Sequence, residues 1–163
     1  MKKIICTITI LLFILFLFGA CVQRDDIFIL KRKIEQKGVI SLNTVTISYK
    51  DDYVTKQVIE EEYQSINEDT NELLGYKENA EYVYNQDMFK LDGFKFSTEL
   101  TETTLKVITT IDYTKIKNND LSNDAKRFFF VEDIVDENGE MPIDELIDYY
   151  VEENGFAIYD AET

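Results

Sequence analysis

Phe94-Lys95-Phe96-Ser97-Thr98-Glu99-Leu100 and, after a short turn, Leu105-Lys106-Val107-Ile108-Thr109-Thr110-Ile111-Asp112-Tyr113 are the stretch on which the fold turns. Phe94, Phe96, Thr98 and Leu100 alternate with Lys95, Ser97 and Glu99, and Leu105, Val107, Thr109, Ile111 and Tyr113 repeat the period. A period of two sends successive side chains to opposite faces, so each run predicts a half-buried strand and the pair a hairpin. Upstream, Val45, Ile47 and Tyr49 alternate with Thr44, Thr46 and Ser48; Lys50-Asp51-Asp52 supplies a turn, and Tyr53 to about Tyr63 returns as a second strand. That is a second hairpin.

Between the hairpins the period changes. Ser65-x-x-Glu68 has the pattern of a capping box, and Glu68, Asp69 and Glu72 suit the positive end of a helix. Leu73, Tyr76, Ala80, Val83 and Tyr84 then recur at helical spacing to about Gln86, with Gly75 as a weak point. A second helix is punctuated at both ends. Pro142 opens it, Asp144 and Glu145 fill its first turn, and Asn154-Gly155 closes it with Phe156 placed for a Schellman contact. Ala157 to Tyr159 reads as a short terminal strand. Phe128-Phe129-Phe130-Val131 fits either a buried strand or the apolar flank of a short helix. The expected fold is α+β: an antiparallel sheet from two hairpins plus an extra strand, with two main helices packed on one face.

The chain has 163 residues, 17 Lys plus Arg, 32 Asp plus Glu, and neither His nor Trp. Lys2 and Lys3 are the only charges in the first 20 residues, so the other 143 carry a net −17. From Gly38 onward the net is −19, and from Asp120 to the end it is −12. Such a surface repels nucleic acid. Without histidine there is no Ser-His-Asp or Cys-His nucleophile and no His-based metal site. Trp platforms for a sugar cleft are missing too. The chain reads as a non-enzyme, with a hydrolase working through carboxylates alone as a weaker alternative.

The N-terminus reads as an address. Lys2 and Lys3 precede an apolar run from Ile4 to Ala20, and residues 1–20 have the layout of a signal peptide. Leu17-Phe18-Gly19-Ala20-Cys21 looks like a bacterial lipobox, in which diacylglycerol is added to the cysteine, although Phe18 stands where lipoboxes usually carry Leu. Cys21 is then the lipidation site. Cys6 lies within the signal, so the mature chain has a single Cys and no disulfide. The competing reading is an uncleaved anchor, because 17 apolar residues reach the lower limit for a spanning helix. Both readings export the domain and tether it to the cell membrane on the extracytoplasmic side. Residues 21–37 read as the lipidated Cys with a short basic spacer, whose Lys31-Arg32-Lys33 and Lys37 could touch anionic headgroups. Residues 38–163 form a single α+β domain.

With these elements in place, the chain resembles the YehR-like bacterial lipoproteins. The resemblance rests on Thr44-Val45-Thr46-Ile47-Ser48-Tyr49-Lys50 with Val54-Thr55-Lys56-Gln57, on Thr109-Thr110-Ile111-Asp112-Tyr113-Thr114-Lys115, and on the segment Met141 to Phe156. These are fold signatures spanning roughly residues 39 to 158. The resemblance implies a small exported lipoprotein with an α+β domain, and it brings no catalytic residues with it. The acidity and the Phe128–Phe130 triplet depart from that family.

Three features invite chemistry. Set against an EF-hand loop, Asp136 and Asn138 fall on ligand positions and Glu145 on the bidentate acid, making them candidate Ca²⁺ ligands. Ile134 occupies the first ligand position, however, and Asn138-Gly139 also serves as a tight turn before the Pro-led helix. The turn is the preferred reading, with no cofactor expected. Glu60-Glu61-Glu62 could suggest paired carboxylates, but neighbours in a strand face opposite ways. Finally Tyr49, Tyr53, Tyr63, Tyr82, Tyr84, Tyr149 and Tyr150 could line a groove for a peptide, glycan or other small ligand, though packing accounts for them more simply. The expected function is a membrane-anchored binding domain whose protein or small-ligand partner is open. A Ca²⁺-responsive acidic domain is the alternative.

Overall fold

The computed structural model describes residues 25–36, 38–66, 70–118, 121–130 and 134–159. The segment 1–20 expected as a signal peptide and the expected lipidation site Cys21 lie outside the described residues. Strands β1 (Asp26–Gln36), β2 (Val39–Lys50), β3 (Tyr53–Ser65), β4 (Phe94–Leu100), β5 (Thr104–Asp112) and β6 (Ala157–Ile158) form one sheet in the order β4-β5-β3-β2-β1-β6. Every pairing in it is antiparallel. Helix α1 (Thr70–Tyr84) links β3 to β4, helix α2 (Asn123–Phe129) follows β5, and helix α3 (Ile143–Asp148) precedes β6. This is the expected α+β architecture, with a third, short helix added.

Both expected hairpins are present. Lys50 pairs with Tyr53 across a two-residue turn in which Asp51 and Asp52 both have positive φ, 51° and 68°. That is the twist-matched hairpin turn normally built with Asn-Gly, here built with two aspartates. Leu100 pairs with Leu105 across the other turn, which Thr101 closes by bonding Thr104 through backbone and hydroxyl.

One local expectation needs correction. The stretch expected as a basic spacer is largely strand: β1 pairs with β2 along its whole length, from Asp26↔Tyr49 to Gln36↔Val39. The folded domain therefore begins well before residue 38. Lys31 and Lys33 are exposed, whereas Arg32 turns to the helix-covered face. There it donates to the Asn154 carbonyl at 2.7 Å and lies 4.6 Å from the Phe156 ring centroid. Three consecutive cations hide the period-two strand character. Of the expected capping box, Ser65 is the last residue of β3, pairs with Val39, and donates its backbone N–H to the Thr103 carbonyl. Glu68 and Asp69 lie outside the described residues, and α1 begins at Thr70.

Phe128 and Phe129 belong to the end of α2, with Phe130 as its C-cap, which decides between the two open readings of that triplet; Val131 lies outside the described residues. Ser122 caps α2, its hydroxyl accepting from the Ala125 N–H. After α3 the chain continues as a π-helical turn over Tyr149–Glu153. The Phe156 N–H then closes onto the Tyr150 carbonyl at 3.0 Å. This closure is one residue wider than a standard Schellman motif, as the wider π turn requires.

All the helices cover one face of the sheet. The main core joins Leu30, Val45, Ile47 and Ile111 on the strands to Phe129, Ile143, Leu146 and Phe156. A smaller cluster of Leu73, Leu105 and Val107 lies under α1. Between these two clusters the covered face is partly polar, and there the helices do not close over it.

Candidate functional site

Alternation along β3 and β5 puts Gln57, Ile59 and Glu61 beside Thr109 and Ile111 on the covered face. These residues floor a cavity of about 430 Å³. Tyr84, the last residue of α1, forms one wall, and Arg127 to Phe130 at the end of α2 form another. Met141, Leu146, Tyr149 and Tyr150 close it from the C-terminal segment. The volume lies within the range of small-molecule sites, and the lining is mainly aromatic with a few polar groups, as such sites usually are.

The π turn matters to this geometry. Both neighbours Tyr149 and Tyr150 within it border the cavity, with ring centroids 5.6 Å apart. Such turns recur at functional sites.

One end of the cavity is a network of neutral hydrogen bonds. The Tyr113 hydroxyl, fully buried, lies 2.9 Å from both Gln57 Oε1 and the Phe129 carbonyl, so its proton is shared between them. Gln57, 4% exposed, also borders the cavity beside Tyr150. Burial pushes the Tyr113 phenol well above its ordinary range. Burial, then the neighbouring Tyr149, pushes Tyr150 up to about 12, against smaller opposing effects from the Gln57 side chain and the Arg32 guanidinium. At neutral pH these hydroxyls are therefore uncharged donors and acceptors.

The other end holds a carboxylate. The Glu60-Glu61-Glu62 triplet divides as a strand requires: Glu60 pairs with Lys106 at 2.7 Å on the open face, and Glu61 points to the covered one. Its Oε1 accepts from the Tyr63 hydroxyl at 3.1 Å. Burial, followed by the charge of Glu61, raises both the Tyr84 and Tyr63 phenols. Gln57 and Glu61 are four residues apart along β3, roughly 13 Å at the usual strand rise.

A second hollow of about 340 Å³ lies behind this one, bordered by Tyr53, Lys117, Asn118 and the loop Asn138–Met141. Tyr113, Phe130 and Met141 border both. Of the candidate calcium ligands, Asn138 borders this second hollow and Asp136 lies in the same turn. Asp136 Oδ1 accepts from the backbone N–H groups of Asn138 and Glu140, each at 2.9 Å, and its Oδ2 accepts from the Asn138 amide at 3.2 Å. These donors, Glu140 foremost, hold the Asp136 carboxyl below its ordinary range. Asp136 and Asn138 thus meet, as halves of one tight turn. Glu145 is exposed on α3, and among the described residues no group of three or more Asp, Glu or Cys converges in a way that could hold a metal.

Of the tyrosines considered for a groove, Tyr84, Tyr149 and Tyr150 line the main cavity. Tyr53 borders the second hollow, Tyr63 stacks on Tyr76 with centroids 4.9 Å apart, Tyr49 packs against the core, and Tyr82 is 75% exposed. Gln57, Thr109 and Tyr113 are site residues that the sequence pattern did not single out, and Glu61 entered only as part of the Glu60-Glu61-Glu62 triplet considered for paired carboxylates. The available signal is a run of polar residues at strand positions otherwise apolar on the same face, and Gln57 and Glu61 carry it.

No family model and no curated protein matches this sequence. Two solved structures share its fold. An NMR structure of a protein from Streptococcus pneumoniae TIGR4 superimposes with a TM-score of 0.54 at 21% identity, covering 86% of this chain and 88% of that one. The NMR structure of the Escherichia coli YehR protein gives 0.50 at 20% identity, covering 85% and 95%. At these identities the likeness is one of fold: this chain has the α+β architecture of those two proteins.

Proposed function

We propose that this protein is a non-enzymatic binding domain, tethered by lipid at Cys21 to the outer side of the cell membrane, that takes a small ligand into the Gln57–Glu61 cavity. The observation that carries the binding half is the cavity itself: about 430 Å³, aromatic-walled, with a preorganised hydrogen-bond set at one end and a carboxylate at the other. The tether is supported by the apolar run Ile4–Ala20 ending at Gly19-Ala20-Cys21. The absence of histidine from the whole sequence supports a binding role over acid–base or nucleophilic catalysis.

The two halves are tested separately. Cells fed an alkyne analogue of palmitate are expected to label the wild-type protein and not Cys21→Ala. Absence of label on the wild type, or label retained on the variant, overturns the lipid anchor. For the cavity, the full chain in maltoside micelles with fluorotyrosine incorporated is titrated with benzylammonium, benzyl alcohol and benzoate. Fluorine resonances of Tyr84, Tyr149 and Tyr150, assigned by Tyr→Phe substitution, are expected to move with at least one probe. If none of the three probes moves them at millimolar concentration, the cavity is not a binding site.

A further inference from the structure

We infer that the cavity is selective for an organic cation: an ammonium group carried on an apolar or aromatic body, with the ammonium at Glu61. This inference rests on the binding reading above and goes further by naming the ligand class. Glu61 is half-buried on the covered face, within an aromatic-walled cavity. The ion pairs among the described residues join Lys77 to Glu81, Lys90 to Asp87, Lys106 to Glu60 and Lys115 to Asp92, and none of them includes Glu61. A single phenol hydroxyl at 3.1 Å is modest compensation for a carboxylate partly withdrawn from water, so a cation arriving there recovers a large share of its lost hydration.

The surroundings favour the same class. The Tyr84 and Phe128 rings, 5.9 Å apart and edge-to-face, stand at this side of the cavity, and aromatic faces attract alkylated ammonium groups. Gln57, Tyr113 and Tyr150 at the far end offer neutral hydrogen bonds to a polar tail. Arg127 also borders the cavity, but it is exposed, so solvent screens its charge more than that of the half-buried Glu61. A chain with 32 acidic and 17 basic residues draws cations toward any cleft and turns anions away.

The three probes named above share a ring and a one-carbon or carboxyl substituent and differ in charge, which makes the same titration decisive. Benzylammonium is expected to bind at least tenfold more tightly than benzyl alcohol, with benzoate weaker than either, and Glu61→Gln is expected to remove that preference. A thermal unfolding curve checks that the variant is folded. If it is not, the charge preference of the wild type decides alone. Equal or tighter binding of benzyl alcohol or benzoate overturns the cation inference and leaves the cavity as a binding site. Silence toward all three probes overturns both. A cation preference that survives in folded Glu61→Gln overturns the role of Glu61.

Discussion

Helices α1 and α3 cover the same face of the sheet by opposite means. α1 has 15 residues yet buries only Leu73, leaves Leu74, Tyr76 and Tyr82 exposed, and carries Gly75 in its interior. α3 has six residues and buries Ile143 and Leu146. It is also stitched to the β2–β3 hairpin: the Ile143 N–H donates to the Asp52 carbonyl and the Val54 N–H to the Met141 carbonyl, both at 2.9 Å. Short helices are unstable alone, so α3 depends on tertiary anchoring, whereas α1, still marginal by itself at 15 residues, grips the sheet with fewer buried side chains. The cavity lies between them. Its C-terminal wall is built into the core and its α1 wall is the looser one, the kind of element that opens first in a folded protein.

The sharpest way to break this contrast is to compare two leucines. Leu146→Ala is expected to cost toward the upper part of the usual range of about 2–5 kcal/mol, and Leu73→Ala toward the lower part, because the small cluster under α1 can collapse more easily than the main core. Equilibrium urea unfolding of the two variants measures the difference, and equal losses would erase the distinction. Next in size is Tyr113→Phe, which leaves the Phe129 carbonyl and Gln57 Oε1 without their shared donor; a loss of about 1–3 kcal/mol is expected by the same measurement.

Alkali probes the same wall through its phenols. Folding raises Tyr150 to about 12 from an ordinary 10.0, so its contribution to stability is whole below pH 10 and is lost as pH climbs toward 12. In a spectrophotometric titration, the component ionising at about 12 is expected to disappear in Tyr150→Phe. The smallest effect belongs to α1: nothing lies within 4 Å of a Cβ built on Gly75, so Gly75→Ala is expected to stabilise the protein by about 0.5–1 kcal/mol. Hydrogen exchange should show the gain confined to α1. A loss of stability would mean that α1 packs through Gly75 after all.

Fold is legible in this sequence where local pattern and final environment agree. The runs 44–49 and 94–113 alternate because one face is covered and the other wet, and Asn154-Gly155 ends its helix because Gly155 has a φ of 67°. Pattern misleads where a residue's environment comes from distant parts of the chain. Lys31-Arg32-Lys33 looks like a solvated linker until Asn154 and Phe156 arrive over Arg32. The tyrosines stand out as groove candidates by their number, whereas Gln57 and Glu61 look like ordinary strand positions until the helices close around them.

Sequence alone determined the class of fold, the acidity of the domain and the exclusion of histidine chemistry, because periodicity, charge and composition are local properties that survive any arrangement in space. Only the tertiary structure decided that β1 is part of the sheet, that Tyr149 and Tyr150 of the π turn border one cavity, and that of three consecutive glutamates Glu61 alone faces the helices. Those facts depend on which surfaces meet, and the free energy of burying a polar group is set by the partner it finds there.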